Sequence, residues 1–495
     1  MNNAGIVIVG LGPAGAELLT REAWDWLSQA VEVYLRTSLH PCAVELPKTL
    51  DVHSFDALYE KHGSLPEVLE EITQTILQLG QREQGVTYAV PGSPWVAEET
   101  CARILERAKQ AAIPVRVING MSFLEPVCAA LGIDPANQLV LIDALHLAGQ
   151  NVPTFPPSCG ALIHQIGTRL DATETKLTLM NNYPDEYPVR LVHAAGSAQQ
   201  SVEDLPLHAI DQSAKLGVIS TLYVPPRESG YSFEEFQEII ARLRAPDGCP
   251  WDREQTHLSL RPYLLQETYE VLEALDREDP DELREELGDL LLQIALHAQI
   301  AAENEDFRMT DVVQGICSKL IRRHPHVFGD LQVKSVDTVL QNWEKIKAKE
   351  REDNGSSHKT GMLDGIPLAL PALTQADQIQ RRAKRVGFDW NTIEPVIAKV
   401  REELDELTSA ETSAERQAEA GDLLFAAVNL IRWLDIDPET ALRECNLRFR
   451  KRFAYIEAEA AKAGKNVDEL GFEEMDALWE KAKDAFLDQD EDLND

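Results

Sequence analysis

The C-terminal half of the sequence contains acidic, basic and aromatic residues that occur twice in the same order. The first set comprises Glu267, Glu270, Glu286, Asp289, Lys319, Arg323, Trp343 and Lys347. The second set comprises Glu403, Glu406, Glu419, Asp422, Arg448, Arg452, Trp479 and Lys483. In both sets the acids form pairs three residues apart, and the later members form pairs four residues apart. Because chance matches rarely preserve order, the sets predict a duplicated unit, whose halves are called here the first copy and the second copy.

The spacing of the acids predicts a metal site in each copy. Residues three or four apart share one face of an α-helix, and the short segment between the acid pairs allows an antiparallel helical hairpin that gathers the carboxylates. Such carboxylates cannot all remain ionised in a partly buried site without a counterion, since desolvation and like-charge repulsion both oppose it. A divalent cation resolves the conflict, and oxygen ligands suit Mg²⁺ or Mn²⁺ better than Zn²⁺.

The basic and aromatic members of each set predict contacts with a nucleotide. Arg448 and Arg452, like Lys319 and Arg323 in the first copy, have the charge to neutralise phosphate oxygens. The tryptophan of each set offers a flat face on which a base can stack. Taken singly, a basic pair is also consistent with a solvated helix face, and a tryptophan with core packing.

A glycine and a long apolar run accompany the second acid pair of each copy. Gly288 and Gly421 interrupt good helix formers at matching places, which predicts the close approach of a neighbouring helix or a ligand. The runs LLLQIALH and LLFAAVNL follow directly after Asp289 and Asp422. Acids that border such apolar surfaces are expected to face a partner helix.

The pattern of apolar residues divides the chain into an α/β part and a helical part. Short β-branched runs at 6–9, 86–90, 115–118, 139–142 and 216–224 alternate with helical stretches. Between 232 and 484 the apolar residues recur at three and four, as in helices, and the polar stretch REDNGSSHKT interrupts them. We therefore predict a multidomain protein with an α/β domain at 1–225, a first helical domain at 232–350, a linker at 351–361 and a second helical domain at 362–490.

Composition limits the classes of partner and compartment. The 495-residue chain carries a formal net charge of −36, which disfavours extended nucleic-acid or membrane binding. Its 7 cysteines form no CxxC pair, so neither a zinc site nor a disulfide framework is indicated. A strand-like run begins at Ile6, and no apolar run of about 18 residues follows, so signals for secretion and membrane spanning are lacking. We expect a cytoplasmic protein.

These residues give the helical part a resemblance to the MazG family of nucleoside triphosphate pyrophosphohydrolases, whose motif is EExxE followed by ExxD. The strings GCPWDREQTH, RRHPHVF and RVGFDW also agree with that family. The resemblance implies two all-α, MazG-like four-helix domains. It further implies Mg²⁺-dependent hydrolysis of nucleoside triphosphates, including non-standard ones, to a monophosphate and pyrophosphate, and a homodimer whose partner helices help to close each pocket.

The same resemblance implies roles for residues of the second copy. The catalytic acids would be Glu402, Glu403, Glu406, Glu419 and Asp422, of which the last four would hold the metal. The nucleotide would be bound by Lys399, Asn429, Arg448, Arg452, Trp479 and Lys483. By position, Glu267, Glu270, Glu286 and Asp289 would form the corresponding metal site of the first copy.

The first copy departs from the family motif. Gln266 stands where the motif has Glu, whereas the second copy keeps both acids as Glu402 and Glu403. The first copy also has Leu296 at the position of Asn429. These differences favour the second copy as the working site and leave the activity of the first copy open.

The first strand leads into a glycine-rich turn. Gly10, Gly12 and Gly15 satisfy the spacing of a dinucleotide-binding fingerprint. A nicotinamide site would also need an acid after the next strand, where Arg36 and Thr37 stand instead. A Rossmann oxidoreductase is therefore the less favoured interpretation of this domain.

Residues 1–225 instead resemble the tetrapyrrole methylase family, which binds S-adenosylmethionine between two α/β subdomains. The strings VGLGP, VPGSPWVAE, GMSFL and KLTLM carry this resemblance. It implies a methyl-donor site formed by Leu11, Gly92, Ser93, Val96, Ser122, Phe123 and Met180. The usual GPGD and GDP motifs of the family lose their acids here, at Gly15 and Ser93, which predicts that the donor binds weakly or not at all.

Two functions of different classes remain open at this point. The first is a Mg²⁺-dependent nucleoside triphosphate pyrophosphohydrolase with a methylase-like domain in front. The alternative is an S-adenosylmethionine-dependent methyltransferase, or a regulatory protein that senses a small ligand and uses its helical domains for dimerisation. The intact acidic, basic and aromatic set of the second copy favours the pyrophosphohydrolase.

Overall fold

The structure is a computed structural model that describes residues 5–217, 219–227, 231–333, 335–353 and 361–490. The chain divides into two compact units, Met1–Val313 and Gln314–Asp495. The first unit begins with an α/β domain and continues into helices, and the second unit is helical throughout its described part. The predicted order, α/β first and helical afterwards, is confirmed.

A parallel sheet forms the first half of the α/β domain. Its strands are β1 (Ile6–Gly10), β2 (Glu32–Leu35), β3 (Asp51–Ser54), β4 (Val86–Val90) and β5 (Val115–Ile118). They pair in the order β3-β2-β4-β1-β5. The central strands β1 and β4 are apolar and buried along their whole length, as is usual for parallel strands covered on both faces.

Helices cover this sheet on both sides. They are α1 (Arg21–Leu27), α2 (Asp56–Lys61), α3 (Leu65–Gly80) and α4 (Glu99–Gln110). Successive residues of β1 enter different cores, since side chains alternate across a strand: Ile8 packs with Ile72 and Ile104, and Val9 packs with Leu27.

A mixed sheet forms the second half of the domain. Its strands are β6 (Leu139–Asp143), β7 (Gly160–His164), β8 (Pro188–His193), β9 (Ser201–Pro206) and β10 (Ser220–Val224), in the order β6-β7-β10-β8-β9. Its helices are α5 (Leu124–Leu131), α6 (Ala144–Ala148) and α7 (Arg169–Leu179). The strand predicted at 216–224 begins only at Ser220, because a turn that Ser220 N closes onto Gly217 O precedes it.

The helical part starts after the second sheet. In the first unit it contains α8 (Phe233–Arg244), α9 (Pro250–Glu254), α10 (His257–Asp276), α11 (Pro280–Glu303) and the beginning of α12 (Met309–Arg323). A core that includes Ile240, Leu260 and Leu296 joins α8, α10 and α11. Asp279 caps α11 and Pro280 follows it at the first helical position, which together give this helix a sharp start.

The second unit holds the remaining helices. They are α13 (Pro325–Phe328), α14 (Val336–Asp353), α15 (Ala372–Lys384), α16 (Ile393–Ser409), α17 (Ser413–Trp433), α18 (Pro438–Lys462) and α19 (Phe472–Asp490). The predicted linker begins within α14, which continues to Asp353, and residues 354–360 lie outside the described part. No helix among the described residues has both the length and the apolar character needed to cross a bilayer.

Candidate active site

Two consecutive helices of the second copy hold the acids of the predicted metal site. The helices α16 and α17 pack against each other, and a capping box between Thr412 and Glu415 starts α17 directly after the turn. Glu403 on α16 is only 5% exposed. One oxygen of its carboxylate and one oxygen each of Glu419 and Asp422 on α17 all lie within 4.8 Å of one another. We call these three residues the second acid cluster.

Glu406 lies at the edge of this cluster. It is exposed and does not belong to the three carboxylates that fall within 4.8 Å. Partial desolvation raises the pKa of Glu406, and the charges of Glu403 and Glu419 raise it further. Glu406, the fourth predicted acid, is therefore close enough for the charges of the cluster to raise its pKa, although its carboxylate lies outside the group.

Among the described residues, Lys399 is a cation that contacts the second acid cluster. Lys399 Nζ lies 2.8 Å from Glu402 Oε1 and 2.7 Å from Glu403 Oε1, and these hydrogen bonds raise the pKa of Lys399. Glu402 is thereby tied to the cluster through the lysine. A single ammonium cannot balance the remaining carboxylates, whose hard oxygen ligands fit Mg²⁺ or Mn²⁺.

The first copy contains a comparable group of acids on α10 and α11. The carboxylates of Glu267, Glu270 and Glu286 lie within 4.8 Å of one another, and Asp289 falls outside this group. We call the three residues the first acid cluster. Desolvation raises the pKa of Glu267, followed by a hydrogen bond with Glu270. Desolvation also raises the pKa of Glu286, with additional repulsion from Glu270 and Asp289.

Neutral amides stand at two positions of the first copy where the second copy has other groups. Gln266, at the position of Glu402, donates its Nε2 to Glu270 Oε1 over 3.1 Å. Gln293, at the position of Ala426, is 5% exposed, and its Oε1 has no hydrogen-bond partner among the described residues. The first copy therefore satisfies part of its acid charge with the amide N–H of Gln266, and it has a larger side chain at the position of Ala426.

The glycines beside the acids face open space within the described chain. No described atom other than those of the local helix lies within 4 Å of a Cβ placed at Gly288 or Gly421. The predicted close approach is therefore not made by another described helix of this chain.

Arg452 and Trp479 of the second copy form a group with Phe449 on α18 and α19, whereas Arg448 and Lys483 contact acids of their own helices. The Arg452 guanidinium carbon lies 5.7 Å from the Trp479 ring centroid, and the Phe449 ring lies 4.9 Å from the same ring. Arg448 is exposed and only 3.8 Å from Glu444, and Lys483 Nζ is 2.5 Å from Glu480 Oε1. Arg452 thus combines a positive charge with a half-buried aromatic face, and no described contact joins this group to the second acid cluster.

The matching arginine of the first copy is bound by a carboxylate of its own chain. Arg323 donates to Glu350 through Nε over 3.2 Å and through Nη2 over 2.6 Å, and Arg322 Nε donates to the same carboxylate over 2.7 Å. Glu350 lies 7 residues after Trp343, and Phe486 likewise lies 7 residues after Trp479. An internal carboxylate therefore stands in the first copy where the second copy has an aromatic ring.

The remaining members of the first copy also make local contacts. Lys347 Nζ lies 3.7 Å from the Trp343 ring centroid. Trp343 Nε1 is buried without a hydrogen-bond partner among the residues described. Lys319 is exposed. One face of Trp343 is thus covered by an ammonium group.

Asn429 is part of a buried polar network that the sequence did not reveal. Its Oδ1 accepts hydrogen bonds from Arg432 Nε and Nη2 over 3.1 and 2.6 Å. Arg432 also donates to Asp389 Oδ1 over 2.8 Å. The signal was available in part, because Asp389 belongs to the string RVGFDW and Arg432 lies one helical turn after Asn429.

In the N-terminal domain, the loops after β1, β4 and β5 meet. Gly12 N donates to Gly92 O over 3.1 Å and Gly92 N donates to Gly12 O over 2.7 Å. A Cβ at Gly120 would lie 2.3 Å from Gly92 O, which only glycine avoids. Leu11 is fully buried, and its N donates to Val90 O. These contacts place Leu11 and Gly92 side by side.

The other predicted methyl-donor residues lie in or beside these loops, with one exception. Ser93 O accepts from Val96 N over 3.3 Å. Ser122 Oγ accepts from Leu124 N at the start of α5, and the ring of Phe123 lies 5.3 Å from that of His164. Met180 packs against the core of the mixed sheet instead.

Acidic side chains approach the position where the methylase motif loses its aspartate. A Cβ at Gly15 would lie 2.3 Å from Glu17 Oε2 and 2.8 Å from Glu45 Oε1. Glu45 Oε1 also accepts a hydrogen bond from Ala16 N over 3.3 Å. Two carboxylates, one from Glu17 next to the first glycine loop and one from the more distant Glu45, therefore border this loop.

Fold and site define a protein in which an α/β domain precedes helices that carry two carboxylate clusters. The sequence matches the tetrapyrrole (corrin/porphyrin) methylase family over residues 5–211 and the MazG nucleotide pyrophosphohydrolase domain family over residues 255–328. It is 41% identical over 489 residues to the uncharacterized protein YabN of Bacillus subtilis, covering 97% of this chain and 98% of YabN.

Two further relatives match about half of the chain. The nucleoside triphosphate pyrophosphohydrolase/pyrophosphatase MazG of Thermotoga maritima is 47% identical over 257 residues, which are 52% of this chain and 98% of that protein. The nucleoside triphosphate pyrophosphohydrolase of Escherichia coli K12 is 45% identical over 256 residues, 50% of this chain and 96% of that protein. The chain therefore belongs to the MazG family and carries an N-terminal domain that is similar to the tetrapyrrole methylases.

We expect the crowding of acids at the second acid cluster to lower the stability of the metal-free protein. In the presence of a chelator, we expect Glu406→Gln to melt at or above the wild-type Tm, because the substitution removes one of the repelling charges. On addition of Mg²⁺, the variant should gain less than half of the wild-type increase in Tm, since stabilisation follows affinity for the native state. Thermal scans with chelator and with Mg²⁺ measure both effects.

Asp405→Asn on the same helix is the matched control and should keep the full gain with Mg²⁺. If Glu406→Gln melts well below wild type in chelator and still shows the full Mg²⁺ gain, Glu406 is a structural residue and not part of a metal site.

Proposed function

We propose that this protein hydrolyses nucleoside triphosphates in a Mg²⁺-dependent reaction, releasing a nucleoside monophosphate and pyrophosphate. The gathering of Glu403, Glu419 and Asp422 within 4.8 Å on one helical pair is the observation that carries the proposal. Membership of the MazG family supports it, because relatives that match half of this chain are named nucleoside triphosphate pyrophosphohydrolases. Mn²⁺ offers the same preference for oxygen ligands and is expected to substitute for Mg²⁺.

The chain's own residues would divide the work of the reaction. Glu403, Glu419 and Asp422, with Glu406 at their edge, would hold the cation, which when bound neutralises phosphate charge and activates water. Lys399 holds the Glu403 carboxylate in place through its 2.7 Å contact. Arg448 and Arg452 would pair with the triphosphate. In such reactions, positioning of the substrate and neutralisation of its charge supply most of the catalysis.

The nucleoside end of the substrate would lie against the aromatic group of the second copy. Trp479 is half-buried and packs against Phe449, while Arg452 lies over its ring. Arg448 lies about one helical turn before Arg452, and Lys483 lies about one helical turn after Trp479. Stacking on an indole depends weakly on the identity of the base. We therefore propose a broad range of nucleotides, non-standard ones included.

We assign the reaction to the second copy. Its arginine, Arg452, contacts a ring, whereas Arg323 of the first copy is held by the Glu350 carboxylate. A triphosphate would have to displace Glu350 before it could use Arg323. The amide of Gln266 next to the first acid cluster also replaces an acid that the second copy keeps as Glu402.

A homodimer in the cytoplasm is the proposed state of the protein. Leu287, Leu291 and Ile294 form a stripe on α11 at helical spacing and are 49%, 39% and 43% exposed. On α17, Leu424 and Phe425 are 61% and 43% exposed. Neighbouring apolar side chains exposed in this way are typical of helix faces that pair with another chain, and we propose a second copy of this protein as the partner.

The position of the bond cleavage tests the proposed reaction directly. With Mg²⁺ and a panel of nucleoside triphosphates, we expect equal amounts of nucleoside monophosphate and pyrophosphate, because the cation and the arginines would frame the α and β phosphates. Anion-exchange chromatography separates the products. Release of a nucleoside diphosphate and orthophosphate would contradict the assignment.

For the N-terminal domain we propose weak binding of S-adenosylmethionine. Ser93 is 8% exposed and stands where the family has an acid, and its Oγ accepts a hydrogen bond from Trp95 N over 3.3 Å. Calorimetric titration of the full chain with S-adenosylmethionine should show no tight binding, whereas Ser93→Asp should increase the affinity by restoring the carboxylate. Tight, stoichiometric binding by the wild-type protein would show that the acid is dispensable.

A further inference from the structure

We propose that Asp389 and Arg432 are positioning residues that hold the Asn429 side chain with its amide NH₂ directed at the nucleoside, so that the pocket selects for a hydrogen-bond acceptor there. This inference rests on the proposed function and deepens it. It assigns roles to Asp389 and Arg432, which were not among the predicted site residues. It also states which end of the Asn429 amide faces the nucleoside.

The orientation of the Asn429 amide follows from the chemistry of its neighbour. Arg432 is 4% exposed and directs two N–H groups, from Nε and Nη2, at one atom of the amide. An arginine side chain only donates hydrogen bonds, so the atom that faces it must be the amide oxygen. The NH₂ group occupies the other branch of the amide and points away from Arg432.

Asp389 keeps the guanidinium in this orientation. Its Oδ1 accepts from Arg432 Nη2 over 2.8 Å and from Trp433 Nε1 over 3.1 Å. Burial alone would raise the pKa of Asp389, but the hydrogen bonds from Arg432 and Trp433 keep this pKa below its ordinary value. The carboxylate is therefore ionised at neutral pH and forms a charge-assisted pair that resists rotation of Arg432.

The position of Asn429 along α17 indicates which part of the nucleotide it meets. Glu419, Asp422, Ala426 and Asn429 recur at intervals of three and four and form one stripe on this helix. Asn429 lies seven residues beyond Asp422, which is about 10 Å along the helix axis. With the phosphates held at the second acid cluster, this distance corresponds to the sugar or the base and not to the phosphate chain.

The first copy lacks the counterparts of Asn429 and Arg432. Leu296 stands at the position of Asn429, and Gln299 stands at that of Arg432. Gln299 donates its amide to Glu303 on its own helix over 3.0 Å. The network therefore belongs to the copy to which we assign the reaction.

The proposal specifies an acceptor but leaves two sources for it, an oxygen of the sugar or an acceptor atom of the base. Analogues of ATP distinguish them: the 2′-deoxy and 3′-deoxy forms remove sugar oxygens, and the 3-deaza and 7-deaza forms remove ring nitrogens. Pyrophosphate release gives kcat and KM for each, and calorimetry with the α,β-methylene form of ATP and Mg²⁺ gives Kd without turnover.

With ATP, we expect Asn429→Ala and Arg432→Gln to raise KM and Kd by about tenfold, the effect of one hydrogen bond, with kcat changed less than about twofold. For the analogue that lacks the contacted acceptor, wild type and Asn429→Ala should have nearly equal KM, since the partner is already absent. Asp389→Asn keeps an acceptor for Arg432, so its KM and Kd should lie much closer to the wild-type values than those of Asp389→Ala. Gln299→Ala in the first copy should leave KM and kcat unchanged.

Two results would overturn the inference. One is an unchanged Kd in Asn429→Ala. The other is that each analogue changes KM by the same factor in wild type as in Asn429→Ala. If hydrolysis proceeds normally in either case, the proposed function survives and only the amide assignment fails. Loss of pyrophosphate release in the wild type would instead contradict the proposed function, and the Kd values would still decide the role of Asn429.

Discussion

Repulsion among carboxylates held between two packed helices is the constraint on which the candidate site depends. Glu403 is almost fully buried, and the charges of Glu403 and Glu419 contribute to the raised pKa of Glu406. Such an arrangement costs free energy unless a cation enters, because desolvation removes the water that would otherwise screen the charges. In the proposed function, the rest of the second copy would supply arginines for the phosphates, an indole for the base and a buried amide for the nucleoside.

The two copies balance this charge in different ways. In the second copy an ammonium, Lys399, contacts the acids and leaves most of their oxygens for a cation. In the first copy the Gln266 amide donates to Glu270, and the Glu350 carboxylate occupies Arg323. In the first copy, groups of the chain itself thus contact the acids and the arginine. In the second copy, a metal-bound triphosphate would make the corresponding contacts. A duplicated helical unit can therefore keep its fold while one copy loses groups needed for ligand binding.

Local periodicity explains how much of the site could be predicted from the sequence. Residues three and four apart share a helix face regardless of context, so the acid pairs and their meeting on α16 and α17 followed from spacing alone. The salt bridge between Asp389 and Arg432 spans 43 residues and depends on the packing of separate segments, which spacing does not encode. The same limit applies to Glu45, which reaches the loop at Gly15 from 29 residues away. The α/β and helical halves were predictable because strand and helix periods differ, whereas the start of β10 depended on a turn.

Pyrophosphate release by two matched variants tests the central claim, that the acids of the second copy carry the reaction. Glu406→Gln and Glu270→Gln make the same chemical change at equivalent positions of the two copies. With Mg²⁺ and saturating nucleoside triphosphate, Glu406→Gln should lower the rate by about a hundredfold, the scale of losing one electrostatic contact to a transition state. Glu270→Gln should retain most of the wild-type rate. Equal losses in the two variants, or a larger loss in Glu270→Gln, would contradict the account.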